Sequence, residues 1–304
     1  MDLELFKNKP LSVLGLFSGI GGFELGLSRA GFDIKAMCEI EDHCKEVLNK
    51  NFNTPIFDDI EKLNIGVGEY DVMCGGFPCQ DISIAGKNKG LLGGDKSSLW
   101  LEFLRVIKQG EPKYAIIENV SAVRSRGLNI ILGQLAEIGY DATYTTYDTK
   151  YFGLPQRRRR VYIVAVRDGI PEGTELFDFE GRGTDEHRAK VESVNKSFEW
   201  DFTKEQRVED RFAYFTMQRS DQFAEAGLSC TLLKRDYKSF TDVITSGGRV
   251  RRVTPIERLL LQGYPKDWLD GCNLTNSQKF QCNGMSVPVV KHIGGLINEF
   301  EKNI

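Results

Sequence analysis

Short apolar runs alternate with amphipathic stretches along the first half of the chain. LSVLGLF (Leu11 to Phe17) reads as a strand, and SGIGGFELGLSRAG follows as a Gly-rich turn and a helix, with Phe23, Leu25, Leu27 and Ala30 at helical spacing and Gly31 closing it. FDIKAMCE predicts a second strand ending at Glu39, EDHCKEVLNKNF a helix, PIFDD a third strand end and YDVMCGG a fourth. SSLWLEFLRVIKQ has the helical period, and YAIIEN reads as a strand. ATYTTYD and RRVYIVAV, rich in β-branched and aromatic residues, supply two more. Strands alternating with helices imply an α/β fold with a doubly wound, mostly parallel sheet.

The pattern breaks down after Arg167. DGIPEGTELFDFEGRGTDEHRAK is polar and glycine-rich, and through about Gly248 the elements look short and irregular, as in a small lobe. Regularity resumes at TPIERLLLQG, where Thr254 and Glu257 form a capping box with Pro255 at the first helical position. VPVVKHIGGLINEF predicts an amphipathic helix with Val289, Val290, Ile293, Leu296, Ile297 and Phe300 on one side. The expected organisation is a first domain over 1–167, a small lobe over 168–250 and a segment over 251–304 that returns to the first domain.

A length of 304 residues accommodates one large α/β domain with such a lobe. Hydrophobic residues at 41% and charged ones at 27% exclude a disordered or fibrous chain. MDLELFKNKP lacks the plan of a signal peptide, and the apolar runs YAII and VYIVAV are too short to span a bilayer, so a cytoplasmic protein without membrane contact is expected. Cys38, Cys44, Cys74, Cys79, Cys230, Cys272 and Cys282 form an odd set with no C-x-x-C pair and no histidine cluster beside them. This argues against a disulfide framework and against a metal site. His43, His187 and His292 show no triad or ligand spacing and read as surface or interface residues; Cys74 reads as sheet packing. The net charge of -3 argues against indiscriminate coating of polyanions, but positive charge is clumped in QRRRR (Gln156 to Arg160), KRDYK and RVRR. Such clusters bind phosphate or form solvated basic faces, and both readings stay open.

FSGIGGF lacks the third glycine of a dinucleotide fingerprint; a ligand without a pyrophosphate would not need it, and close helix–strand packing at Gly19, Gly21 and Gly22 stays open as the other reading. S-adenosylmethionine is such a ligand, and Glu39 stands 20 residues after Gly19, where this fold places the acid that holds ribose hydroxyls. Cys79 and Glu118 each follow a predicted strand, which brings both to one carboxyl edge of a parallel sheet. A thiol facing a carboxyl group suits attack on carbon 6 of a pyrimidine, with the carboxyl group acting on ring nitrogen 3 and carbon 5 then taking a methyl group from a sulfonium. The thiol needs a pKa below its ordinary value of about 8.5, and Arg158 and Arg160 are candidates for lowering it.

The motifs FSGIGGFELGL, CEIED, DDI, GGFPCQ, IIENV, QRRRRVYIV, RRVTPIERLLLQGYP and NGMSVPV occur in that order. In this the chain resembles the DNA (cytosine-5)-methyltransferases of the compact bacterial or phage kind. The resemblance implies Cys79 as nucleophile, Glu118 as the group acting on ring nitrogen 3, Gln156, Arg158 and Arg160 as the set that orders the site, and Asn119 as the residue steadying the Cys79 turn. It implies S-adenosylmethionine lined by Phe17, Gly19, Ile20, Gly22, Glu39, Ile40, Asp59, Ile60, Gly76, Pro78, Met285, Ser286 and Val287. Two positions depart from the family: Met285 replaces the asparagine of its GNxVP motif, and Ile40 stands where an aromatic often covers the adenine. The implied partner is double-stranded DNA, bound by a monomer in a bacterial cell or phage-infected host. KNKGLLGGDKSS would close on the duplex, with Gln80, Ser83, Lys87 and Lys89 as contacts. Sequence would be read in the lobe, at Thr231 of the Thr231-Leu232 pair and at Arg219, Lys234 and Arg235. Base flipping is implied by the class. A tRNA cytosine methyltransferase ranks lower, because the Cys-Phe-Thr segment of that subgroup is absent. A non-catalytic DNA-binding regulator ranks lower too, having no need for a thiol opposite a carboxyl group.

Overall fold

The computed structural model describes residues 9–78, 98–172, 176, 213–216, 229–232, 242–246 and 249–303. Its main sheet has seven strands in the order β3-β2-β1-β4-β5-β7-β6. These are β1 (Ser12–Leu16), β2 (Asp33–Cys38), β3 (Ile56–Phe57), β4 (Val72–Gly76), β5 (Tyr114–Val120), β6 (Asp141–Asp148) and β7 (Arg159–Val166). The pairings from β3 through β5 are parallel, whereas β7 runs antiparallel to both β5 and β6. The chain leaves β1 toward β2 on one side and later adds β4 on the other. Strand order therefore reverses between β1 and β4, and a crevice opens outside their carboxyl ends.

Alternation along each strand sorts side chains onto two faces. Leu14 and Leu16 of β1 point into one core with Met73, Ala115 and Ile163, covered by α3 (Ser98–Gly110) through Trp100, Phe103 and Ile107 and by α5 (Leu128–Glu137) through Ile131 and Leu135. Val13 points the other way, into a core with Met37, Val72, Cys74 and Val164. That face is covered by α1 (Gly22–Arg29) and by α8 (Val287–Asn303), whose Val289, Val290, Ile293, Ile297 and Phe300 are buried. Each such side chain contributes roughly 1.5–3 kcal/mol of burial. Asn298 of α8 also donates to the carbonyl of Ala30 at 2.7 Å, fastening the last helix to the end of α1.

The remaining α-helices among the described residues are α2 (Asp42–Asn51), α4 (Val123–Arg126), α6 (Pro255–Leu260) and α7 (Asn276–Gln281). Thr254 and Glu257 make the capping box of α6, and Thr275 and Gln278 make a second one at α7. A smaller antiparallel sheet joins β8 (Ala213–Thr216), β9 (Asp242–Ser246) and β10 (Arg249–Arg252). His43, expected at the surface or an interface, is buried: α2 carries it inward beside Cys44, Val47 and Leu48. Among the described residues no helix is long and apolar enough to cross a membrane.

Candidate active site

The crevice begins with a strained turn. Phe17 has a φ of 54° and Gly19 a φ of 55°, both left-handed, and for Phe17 this costs on the order of 1 kcal/mol. Backbone bonds to the neighbouring strand hold the turn there: the Ser18 N–H donates to the Cys38 carbonyl at 3.1 Å and the Gly19 N–H to Glu39 Oε2 at 2.7 Å. Glu39 Oε1 accepts from the Glu41 N–H at 2.8 Å, so the carboxylate is fixed at the end of β2 facing the turn. Spare lone pairs on both oxygens suit hydroxyl donors such as those of a ribose. Ile40 beside it is 68% exposed. Asp59 accepts from the Glu61 N–H at 3.0 Å at the start of a short 3-10 turn, and Ile60 is buried behind it.

The C-terminal segment closes the other side of the turn. A Cβ on Gly22 would overlap the Tyr264 hydroxyl and stand 2.6 Å from Met285 Cβ, so only glycine permits this approach. Gln262 Oε1 accepts from the Gly284 N–H at 2.8 Å and its carbonyl accepts from the Val287 N–H at 3.0 Å, shaping the segment that carries Met285 and Ser286. Trp268 Nε1 donates to the Ile20 carbonyl at 2.8 Å. Met285 turns its sulfur to Tyr162, whose hydroxyl lies 3.7 Å away. The Ser286 hydroxyl is buried and makes no hydrogen bond among the described residues, and the buried Ser18 hydroxyl lies beside the Glu24 carboxyl group. Of Gln262, Tyr264 and Trp268 only Gln262 carries a local signal in the sequence, a polar residue directly after the three leucines of LLLQGYP.

At the adjacent strand ends, Gly76 of β4 lies opposite Glu118 of β5. A Cβ on Gly76 would stand 2.8 Å from Glu118 Oε2. Asn119 Nδ2 donates to the Phe77 carbonyl at 3.1 Å, so the chain is pinned beside Glu118 two residues before Cys79. Pro78 is exposed there. Cys79, Gln80, Ser83, Lys87, Lys89, Arg219, Lys234 and Arg235 lie outside the described residues.

Glu118 is only 7% exposed, and Arg160 Nε stands 3.0 Å from its Oε1 as an ion pair, with no donor among the described residues aligned on that oxygen for a hydrogen bond. In the QRRRR run, Arg157 and Arg159 face outward while Arg158 is buried. Arg158 spans the site to donate from Nη2 to the Gly284 carbonyl at 3.1 Å. Burial, and then the like charge of Arg160, lowers its pKa to about 10, so it stays cationic at neutral pH. The buried side-chain amide of Gln156 makes no hydrogen bond among the described residues. Residues 229–232 dock on this run: the Arg157 N–H donates to the Ser229 carbonyl at 2.7 Å, and Thr231 Oγ1 donates to the Arg157 carbonyl at 2.8 Å. Leu232 is buried against Val253 and Leu261. The structure thus groups Glu118, Asn119 and Arg160 at the ends of β4 and β5, ties Arg158 to Gly284 beside Met285, and packs Met285 against Gly22 of the glycine turn. Glu39 bonds the turn directly, and Asp59 and Ile60 follow β3, which pairs with β2.

The model of one family, C-5 cytosine-specific DNA methylase, matches residues 11–299. Type II methyltransferase M.NgoBI of Neisseria gonorrhoeae is 30% identical over 290 residues, which cover 91% of this chain and 90% of that protein. Type II methyltransferase M.HaeII of Haemophilus aegyptius is 27% identical over 309 residues, covering 94% and 92%. Among solved structures, the S. pombe Dnmt2 methyltransferase superposes with a TM-score of 0.67 at 20% identity, covering 95% of this chain and 99% of that one, a likeness of fold. Since the family match runs from the first strand of the sheet into its last helix, the chain belongs to the C-5 cytosine-specific DNA methylase family.

Proposed function

We propose that this methyltransferase moves a methyl group from S-adenosylmethionine to carbon 5 of a cytosine flipped out of duplex DNA, with Cys79 as nucleophile and Glu118 as the group acting on ring nitrogen 3. The observation that carries the reading is the Asn119 bond to the Phe77 carbonyl, which anchors the approach to Cys79 beside the Glu118 carboxylate. The Cys79 thiolate adds to carbon 6 while Glu118 hydrogen-bonds or protonates nitrogen 3, so electron density gathers at carbon 5. After carbon 5 gains the methyl group it loses its proton, and elimination returns the electron pair to sulfur. Arg160 holds the Glu118 carboxyl group in place, and Arg158 ties the arginine strand to the Gly284 carbonyl.

The residues present fit the cofactor. Glu39 offers acceptors to ribose hydroxyls, and the Ser286 hydroxyl is buried without a hydrogen-bond partner among the described residues. Apart from Gly19 and its chain neighbours, no heavy atom of the described residues lies within 4 Å of where a Cβ on Gly19 would stand, which leaves room above the turn. When bound, the cofactor supplies a methyl group activated by a sulfonium. Phe17, Ile20, Gly22, Ile40, Asp59, Ile60, Gly76, Pro78, Met285 and Val287 complete the proposed lining. Replacing Glu39 by Ala is expected to weaken S-adenosylmethionine binding by roughly 1–3 kcal/mol, because buried hydroxyls lose a charged acceptor. Calorimetry would check it, and an unaltered affinity would mean that the ribose acceptor lies elsewhere.

DNA reading is assigned to the lobe over 168–250, with Arg219, Lys234 and Arg235 as the residues to substitute and the segment from Gln80 to Lys89 as the flank on the catalytic side. Labelled methyl transfer to duplex DNA and to tRNA, measured side by side, tests the function. Incorporation into duplex DNA as 5-methylcytosine is the expected result. Transfer to tRNA alone, or to neither, would overturn it.

A further inference from the structure

One acid beside the proposed cofactor turn has no part in the chemistry above. Glu24 lies in the first turn of α1, directly after the glycine turn, and is 0% exposed. Its carboxyl group is folded back against β1: a Cβ on Gly15 would overlap Oε1, stand 2.8 Å from Glu24 Cδ and 3.0 Å from Ser18 Oγ. The bare glycine in a central strand is what makes room for it. The Ser18 hydroxyl is the polar side-chain group beside it, and neither carboxyl oxygen has a well-aligned hydrogen-bond partner among the described residues.

The groups that act on Glu24 come from each element around it. Ser18 belongs to the turn, and Glu39 stands at the end of β2 with the same sign of charge. Cys74 of β4 pairs with Gly15 in the sheet, and the Cys74 thiol and the Tyr264 hydroxyl both feel the charge of Glu24. None of these four is a cation. Burial pushes the Glu24 carboxyl up to about 7, with the Ser18 hydroxyl and its own backbone N–H acting against burial and Glu39 adding to it. A buried acid in such a place is about half protonated at pH 7 and more so below it, and an arriving positive charge drives the remaining protons off.

We propose that Glu24 sets the discrimination between cofactor and by-product, ionising when the sulfonium enters the turn beside it and taking the proton back when the neutral thioether is left. This rests on S-adenosylmethionine being the ligand of that turn. At neutral pH the cofactor carries a net charge of about +1, from its sulfonium and ammonium against one carboxylate, and S-adenosylhomocysteine carries about zero. A cation that lowers the pKa of Glu24 is bound more tightly by the ionised form, and the two effects are equal by linkage. The sign follows from that. Below the pKa of the cofactor complex the acid is protonated in both states and adds nothing. Between that value and about 7, the pKa of the free protein, affinity rises with pH, and above it affinity is level. The by-product lacks the sulfonium charge and shows a much flatter profile.

Titration calorimetry on the full chain between pH 6 and pH 8, in two buffers of different ionisation enthalpy, tests this with S-adenosylmethionine and S-adenosylhomocysteine as the probes. The expected result is proton release on binding S-adenosylmethionine near pH 6.5, with affinity rising about tenfold from pH 6 to pH 7.5. S-adenosylhomocysteine should release little. Glu24→Gln should bind S-adenosylmethionine with the weak affinity of the wild type at low pH and without pH dependence. Equal proton release with both ligands in the wild type overturns the proposal even if the variant does not fold, and so does a pH dependence that persists in Glu24→Gln. Failure of the wild type to bind either ligand would overturn the cofactor reading itself, and this proposal with it.

Discussion

Cys79→Ser is expected to abolish methyl transfer while folding and cofactor binding stay near those of the wild type. A free cysteine is a few per cent thiolate at pH 7 and strongly nucleophilic, whereas a serine hydroxyl is almost never ionised there and no histidine base is assigned to this site. The expected loss in rate is on the order of 10⁴ or more, since no other group in the proposed mechanism can form the bond to carbon 6. A second measurement separates a covalent route from a merely damaged site. With 5-fluorocytosine at the target position, fluorine blocks the final elimination, so the wild type should form a DNA complex that survives denaturant. Cys79→Ser should form none. Normal methylation by the variant, or no trapped complex with the wild type on a verified substrate, would remove the covalent step.

The parts of the fold that were legible in the sequence are those in which one element's pattern suffices. The apolar runs at Leu11–Phe17 and Tyr114–Ile117 and the periodic helix over 287–303 declare themselves within a few turns or strand lengths, because burial on a sheet or under a helix imposes a local period. The order in which strands meet does not. RRVYIVAV lies between β5 and β6 and runs antiparallel to both, a placement set by contacts across the sheet rather than by its own composition. The segment over 123–137 also went unread as helix, since Gly127 divides it into two short pieces.

The site divides in the same way. Glu39 and Glu118 were legible as acids at strand ends, and the sheet brings both to the carboxyl edge. Gln262, Tyr264 and Trp268 take their meaning from Gly284, Gly22 and Ile20, and the last two partners lie more than 200 residues away in sequence. Nothing around Glu24 announces that its carboxyl group turns inward, because the space it fills is the missing side chain of Gly15 on another element. Met285 reads as a departure from a motif until its sulfur is seen beside the Tyr162 hydroxyl.

Glu118→Gln is the expected loss next in size. The side chain keeps its shape and can still hydrogen-bond, but it can no longer deliver a proton to ring nitrogen 3 or balance a developing charge. General acid contributions of this type are worth about 10²–10⁴ in rate. The same change removes the partner of Arg160, whose Nε stands 3.0 Å from Glu118 Oε1. Leaving a largely buried guanidinium without its counter-charge costs roughly 3 kcal/mol or more, so a fall in melting temperature accompanies the fall in rate. Arg160→Gln separates the two effects, because it breaks the same ion pair but keeps the Glu118 carboxyl group, which has lost its counter-charge yet can still act on nitrogen 3. Similar losses of stability are expected from both variants, with cofactor binding little changed. The rate of methyl transfer and of 5-fluorocytosine trapping should fall much further in Glu118→Gln, and by a margin that a matched fall in stability cannot produce. Equal rate losses in the two variants would mean that Glu118 serves as an anchor for Arg160 and that the group acting on nitrogen 3 lies elsewhere.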